Sequence, residues 1–204
     1  MSAWINEFHY DNAGADIGEF VEIAAAAGTN LAGWSIVLYN GSGGVVYDTK
    51  ALSGIVQNQQ NGFGTVSVAY PANGIQNGSP DAIALVNNLG QVVEFISYEG
   101  SFTAVGGPAN GMTSTDVGAS EPGTVNGTSI GRIGSGDKAA DFTWAAISDD
   151  TPGGVNAGQT FGAVVVNRPG AFAVADATVT EGIPAPRRSS SPSPAAMTAM
   201  PQLR

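Results

Sequence analysis

The strongest constraint on the fold is a pair of apolar runs, Asp81 to Asn87 (DAIALVN) and Gln91 to Tyr98 (QVVEFISY), joined by Asn88-Leu89-Gly90. Each is too short for a stable helix, rich in Val and Ile, and bounded by turn residues, so the two form a β-hairpin. Successive side chains leave a strand on opposite faces. Ala82, Ala84 and Val86 therefore oppose Ile83, Leu85 and Asn87, as expected for a strand with two neighbours at the centre of a sandwich.

The rest of the chain repeats this grammar. Ile5 to Tyr10, Glu19 to Ile23, Trp34 to Tyr39, Val45 to Thr49, Gly64 to Ala69, Ser129 to Ile133 and Asp141 to Ala146 read as strands, separated by Asn-Gly, Gly-Gly and Pro turns. With 204 residues, 43% of them hydrophobic and 12% charged, there is enough apolar material for one sizeable core. The expected fold is all-β, a sandwich over residues 1–161. The loop Phe102 to Asn126 is longer than a compact domain ordinarily carries without a purpose. Residues 162–182 read as a linker or the start of another module, with strands expected over Ala163 to Asn167 and Ala171 to Thr180. Residues 183–204 are a Pro-, Ser- and Arg-containing low-complexity tail expected to be disordered.

Charge excludes some functions. Seventeen acidic residues against seven basic ones give −10, and the acids all lie between Glu7 and Glu181. Such a surface repels phosphate backbones, so direct nucleic-acid binding is disfavoured and cations or basic partners are favoured. The absence of cysteine removes disulfides, thiolate metal sites and cysteine nucleophiles. No run approaches the roughly 20 apolar residues of a membrane span. MSAWINEF has no basic start or apolar run, so no secretion signal is expected in this chain.

The candidate chemistry concentrates in Ile5 to Ile23 (INEFHYDNAGADIGEFVEI), which holds the only histidine and five of the acids. Glu7, Asp11, Asp16 and Glu19, with Asn12, flank a Gly-containing turn and are candidate ligands for calcium, which accepts six to eight oxygens from irregular loops. Their spacing is not that of an EF-hand, and the alternative is turn capping by Asp and Asn. At least one glutamate of the second strand must share a face with apolar residues and therefore needs a partner. His9 lacks the companions a zinc site requires and reads as a structural, hydrogen-bonded imidazole. No Gly-x-Ser-x-Gly elbow accompanies it. Gly131 to Gly136 (GRIGSG) lacks the lysine and helix of a phosphate loop and reads as a β-turn. Asn40, Asn77 and Asn126 sit in glycosylation-type triplets, but Asn-Gly is the stronger hairpin signal. Of Trp4, Trp34 and Trp144, two or more are expected in the core rather than on a sugar-stacking platform.

Four blocks, INEFHYDNAGADIGEFVEI, LAGWSIVLYNG, PDAIALVNNLGQVVEFISYEG and DFTWAAISDDTPGGVN, follow in an order and spacing that resembles the bacterial lamin tail domain over about Trp4 to Gln159. The resemblance implies an immunoglobulin-like β-sandwich. It also implies a non-catalytic binding or tethering role, as an accessory domain of a secreted or cell-surface protein with an unknown protein or surface ligand, and it carries no catalytic residues. The alternatives are a fragment of a secreted nuclease or phosphatase whose catalytic domain lies elsewhere, and a calcium-stabilised structural module. Phe172 to Gly182 (FAVADATVTEG) resembles the first strand of a Calx-beta repeat, and its break at Ile183 is what a truncated or frame-shifted larger protein would leave.

Overall fold

A computed structural model describes residues 3–121 and 123–162. The strands expected after Phe161, the Calx-beta-like segment and the low-complexity tail lie outside the described residues. Eleven strands run in the order β1 Ala3–His9, β2 Phe20–Ala26, β3 Ser35–Asn40, β4 Val45–Ala51, β5 Phe63–Ala69, β6 Asp81–Val86, β7 Val92–Tyr98, β8 Thr115–Asp116, β9 Ser129–Gly136, β10 Phe142–Ile147 and β11 Gln159–Phe161. They form two sheets, β10-β9-β1-β2-β5 with β11 beside β9, and β4-β3-β6-β7-β8. The protein is an all-β, immunoglobulin-like sandwich. Only the β9–β11 and β7–β8 pairings are parallel among the described strands. The central hairpin behaves as its sequence requires, with β6 lying between β3 and β7 in the middle of its sheet.

The core between the sheets takes Ile5, Phe8, Val21, Ile23, Ile36, Leu38, Ile83, Leu85 and Ile96. Ile83 and Leu85 thus point inward, yet the opposite face of β6 is also buried. Ala82, Ala84 and Val86 pack with Tyr39, Phe95, Ala104 and Ala109 in a second apolar layer. The long loop after Phe102 supplies that layer. Ala109 N–H donates to the Tyr39 hydroxyl at 2.8 Å, and Val105 N–H to the Gly44 carbonyl at 2.7 Å. Small side chains at 82 and 84 let the loop lie close, which is the purpose its length demanded.

The first sheet is covered in the same way. Trp4, 1% exposed, packs with Ala24, Phe142 and Phe161 on its outer face, its ring centroid 6.1 Å from those of Phe63, Phe142 and Phe161. Trp34 and Trp144 are half-buried against the central core. A bulge in β1 between Ile5 and Glu7 shifts its register against β2. Ala3 and Ile5 before it, and Phe8 and Tyr10 after it, all face the central core, so the inward parity changes from odd to even. One expectation fails here. Gly131 to Gly136 is no turn but the body of β9, paired with β10 and β11. Its glycines serve close packing: a Cβ at Gly136 would sit 2.1 Å from Asp141 Cβ, and one at Gly131 2.3 Å from Ile147 Cδ1.

Candidate functional site

The carboxylates of the first hairpin all accept hydrogen bonds from donors of the protein itself. On the outer face, Glu7 Oε1 accepts from the Ser129 hydroxyl at 2.5 Å and Thr151 N–H at 3.0 Å, while Oε2 accepts from the Thr151 hydroxyl at 2.9 Å. Asp11 Oδ2 accepts from Gly123 N–H at 2.8 Å. Asp16 Oδ1 accepts from Asn12 N–H at 2.8 Å, and its Oδ2 from Asn77 Nδ2 at 3.3 Å. Glu19 accepts Gly74 N–H at 2.7 Å and Ile75 N–H at 2.9 Å. Glu7 thus holds the closing turn, Asp11 the end of the long loop, and Asp16 with Glu19 the connection between β5 and β6. Among the described residues no group of three or more His, Asp or Glu side chains is placed to hold a metal ion.

Glu22 supplies the expected case of a glutamate on an apolar face with a partner. It lies opposite Glu7 in the β1–β2 ladder and is fully buried. Asn6, displaced outward at the bulge, donates to Glu22 Oε1 at 2.9 Å, to Asn156 Oδ1 at 3.1 Å and to Gln159 Oε1 at 3.1 Å. Gly153 N–H closes on Glu22 Oε2 at 2.6 Å. Burial pushes the Glu22 carboxyl up to about 8 against these donors, and the neighbouring Glu7 charge adds to the rise. This network clamps the segment 149–159 across the outer face and is structural.

His9 is 1% exposed, as is Glu121. Its Nδ1 lies 3.0 and 3.1 Å from the two Glu121 oxygens. Tyr10 N–H donates to Glu121 Oε2 at 2.9 Å, Glu121 N–H donates to the Tyr10 hydroxyl at 2.9 Å, and that hydroxyl donates to Glu99 Oε1 at 2.8 Å. Glu99 itself adopts a φ of 60°, a strained conformation for a non-glycine residue. Burial would lower the imidazole, but the hydrogen bond and charge of Glu121 raise it from 6.5 to about 9. The ring is buried, with Glu121 at the end of the long loop as the partner of its Nδ1 and no hydrogen-bond partner at Nε2 among the described residues.

A concave surface lies where the 12–18 loop, the β3–β4 turn and the 71–80 connection meet. Here a cavity of about 550 Å³ is lined by Asp16, Asn40, Asn73, Gln76, Asn77 and Asp81, with Ser42 and Ile75 among its other residues. Asp81, 2% exposed, accepts Gly41 N–H and Gly78 N–H, each at 2.9 Å, one on each oxygen. Burial pushes its carboxyl from 3.8 up to about 6 despite those two donors. Gly41 has to be glycine, since a Cβ would fall 1.8 Å from the Pro80 carbonyl oxygen. The Gln76 backbone is held from below, its N–H donating to the Tyr47 hydroxyl at 2.9 Å and its carbonyl accepting from the Tyr98 hydroxyl. The Gln76 side-chain oxygen is buried and has no hydrogen-bond partner.

Of the four candidate ligands, the structure brings only Asp16 to this cavity. The sequence reading missed Asp81, which looks like the first residue of a strand, and the amides, which look like turn punctuation. The signal was the density of polar groups in Asn73-Gly-Ile-Gln-Asn-Gly-Ser-Pro-Asp81, more than a bare turn requires. No family model, no curated protein and no solved structure matches this chain.

Proposed function

We propose that the chain is a non-catalytic binding or tethering module of the lamin tail type, acting as an accessory domain of a secreted or cell-surface protein. The observation that carries this reading is the fate of the only imidazole, which is enclosed in an ion pair with Glu121 and so has no route to serve as a general base. The outer face of each sheet carries an apolar cluster of its own, to which the long loop contributes Ala104 and Ala109 on one side and the closing turn Val155 on the other. The polar cavity of about 550 Å³ is a concave surface with buried, oriented side chains, the usual character of a binding site.

The test is hydrolysis. Purified protein is incubated with plasmid DNA and with a chromogenic phosphoester, each with magnesium, manganese or calcium. No turnover above buffer is expected. Turnover that scales with protein concentration and disappears in Asp16→Asn or Asp81→Asn would overturn the module reading in favour of an enzyme fragment.

A further inference from the structure

The two carboxylates that line the cavity keep acceptor capacity that the protein's own donors do not fill. Each Asp81 oxygen accepts a single backbone N–H, although a carboxylate oxygen accommodates about two donors. Asp16 Oδ2 holds only the long 3.3 Å contact from Asn77. Gln76 adds a buried oxygen with no partner. None of the lining residues is basic. Two carboxylates that are 6% and 2% exposed therefore line one cavity with spare acceptor capacity and no basic side chain among its lining residues, an arrangement that a donor-bearing cation complements in both charge and hydrogen bonding.

We propose that this cavity binds a guanidinium group, presented by an arginine side chain of a partner protein. The inference rests on the binding-module reading and assigns its ligand chemistry. Guanidinium is planar and always charged, with five N–H donors, so it can span several acceptors at once. A dehydrated metal ion fits less well. Calcium draws its six to eight oxygens within about 2.6 Å, whereas the two carboxylates are anchored to separate backbone turns around about 550 Å³. The chain's net charge of −10 steers a basic partner toward the surface.

The experiment is an amide NMR titration of the whole chain at pH 7.5 and low salt. The probes are Nα-acetyl-arginine methylamide, free arginine, citrulline as the neutral isostere, and calcium chloride. Saturable shifts at Gly41, Asn77 and Gly78 are expected with both arginine probes and not with citrulline. Asp81→Asn should weaken binding roughly tenfold, the effect of removing a charged hydrogen-bond acceptor. Ser42→Arg should abolish it by placing a guanidinium in the cavity in cis. If circular dichroism shows that Asp81→Asn does not fold, Ser42→Arg carries the test alone. No saturable shift with either arginine probe overturns the proposal, as does citrulline binding equally well or calcium shifting the same amides. Binding of free arginine without the blocked form overturns the partner-protein source. Absent binding together with absent hydrolysis removes only this ligand; hydrolysis removes the module reading itself.

Discussion

The buried His9–Glu121 pair yields the most specific prediction, because one histidine means one imidazole signal. Burial lowers the ring, while the Glu121 hydrogen bond and charge, helped by Asn12 and Asp150, carry it from 6.5 to about 9. That difference corresponds to about 3 kcal/mol in favour of the charged ring in the folded state, a large share of a domain's total stability. The folded value is raised, so this stabilisation is fully present below pH 6.5 and is lost as pH rises through about 9. The perturbation is Glu121→Gln, which keeps an oxygen for Tyr10 N–H but removes the charge. With burial left in command, the ring should titrate below 6.5. Urea midpoints of wild type and variant should differ most at pH 6, and the gap should shrink by about 3 kcal/mol by pH 9.5. The imidazole Cε1–H resonance followed from pH 5 to 10 gives the titration directly. A wild-type midpoint at or below 6.5, or a stability gap independent of pH, would refute the reasoning.

Glu22, pushed by burial from 4.5 up to about 8, acts in the same direction as Glu7, Glu19 and Asp81, whose carboxyls burial also raises. The stabilisation from Glu22 is present below the ordinary carboxylate range and lost as pH rises through about 8, that from Asp81 is lost through about 6, and those from Glu7 and Glu19 are lost above the ordinary carboxylate range, so the melting midpoint should be higher at pH 5.5 than at 8.5; a midpoint that climbs with pH over that window counts against this reading. Asn6→Ala strips Glu22 Oε1 of its Asn6 amide donor and removes the acceptor of Gln159 Nε2. It should cost about 3 kcal/mol in urea unfolding and speed amide exchange over residues 151–161; a loss under 1 kcal/mol would show that the network is slack. Gly41→Ala should cost about 2 kcal/mol or more, because the Pro80 carbonyl oxygen would lie 1.8 Å from the new Cβ. An unchanged melting midpoint would mean that the β3–β4 turn yields easily.

How legible was this in the sequence? Strand-forming runs such as Ser35–Asn40 and Asp81–Val86 were, because alternation and turn residues are local properties. The β1 bulge was half legible: inward residues at 3 and 5, then 8 and 10, break the period of two, but nothing local says that Asn6 and Glu7 both turn outward at the break. The β9 strand was misread where its glycines imitate a turn. What those glycines answer to is the proximity of Asp141 and Ile147 across the sheet.

The sequence by itself determined the class of fold, since the positions of Val, Ile, Asn-Gly and Pro decide which segments are strands and which are turns. Only the tertiary structure decided what the polar residues do. His9 and Glu121 are 112 positions apart, Asn6 and Gln159 153 apart, and Asp16 and Asn77 61 apart. Whether a carboxylate is a metal ligand, a backbone cap or the wall of a binding cavity depends on which donors the folded chain brings to it. A period of two along a strand carries no information about partners that arrive from the far end of the chain.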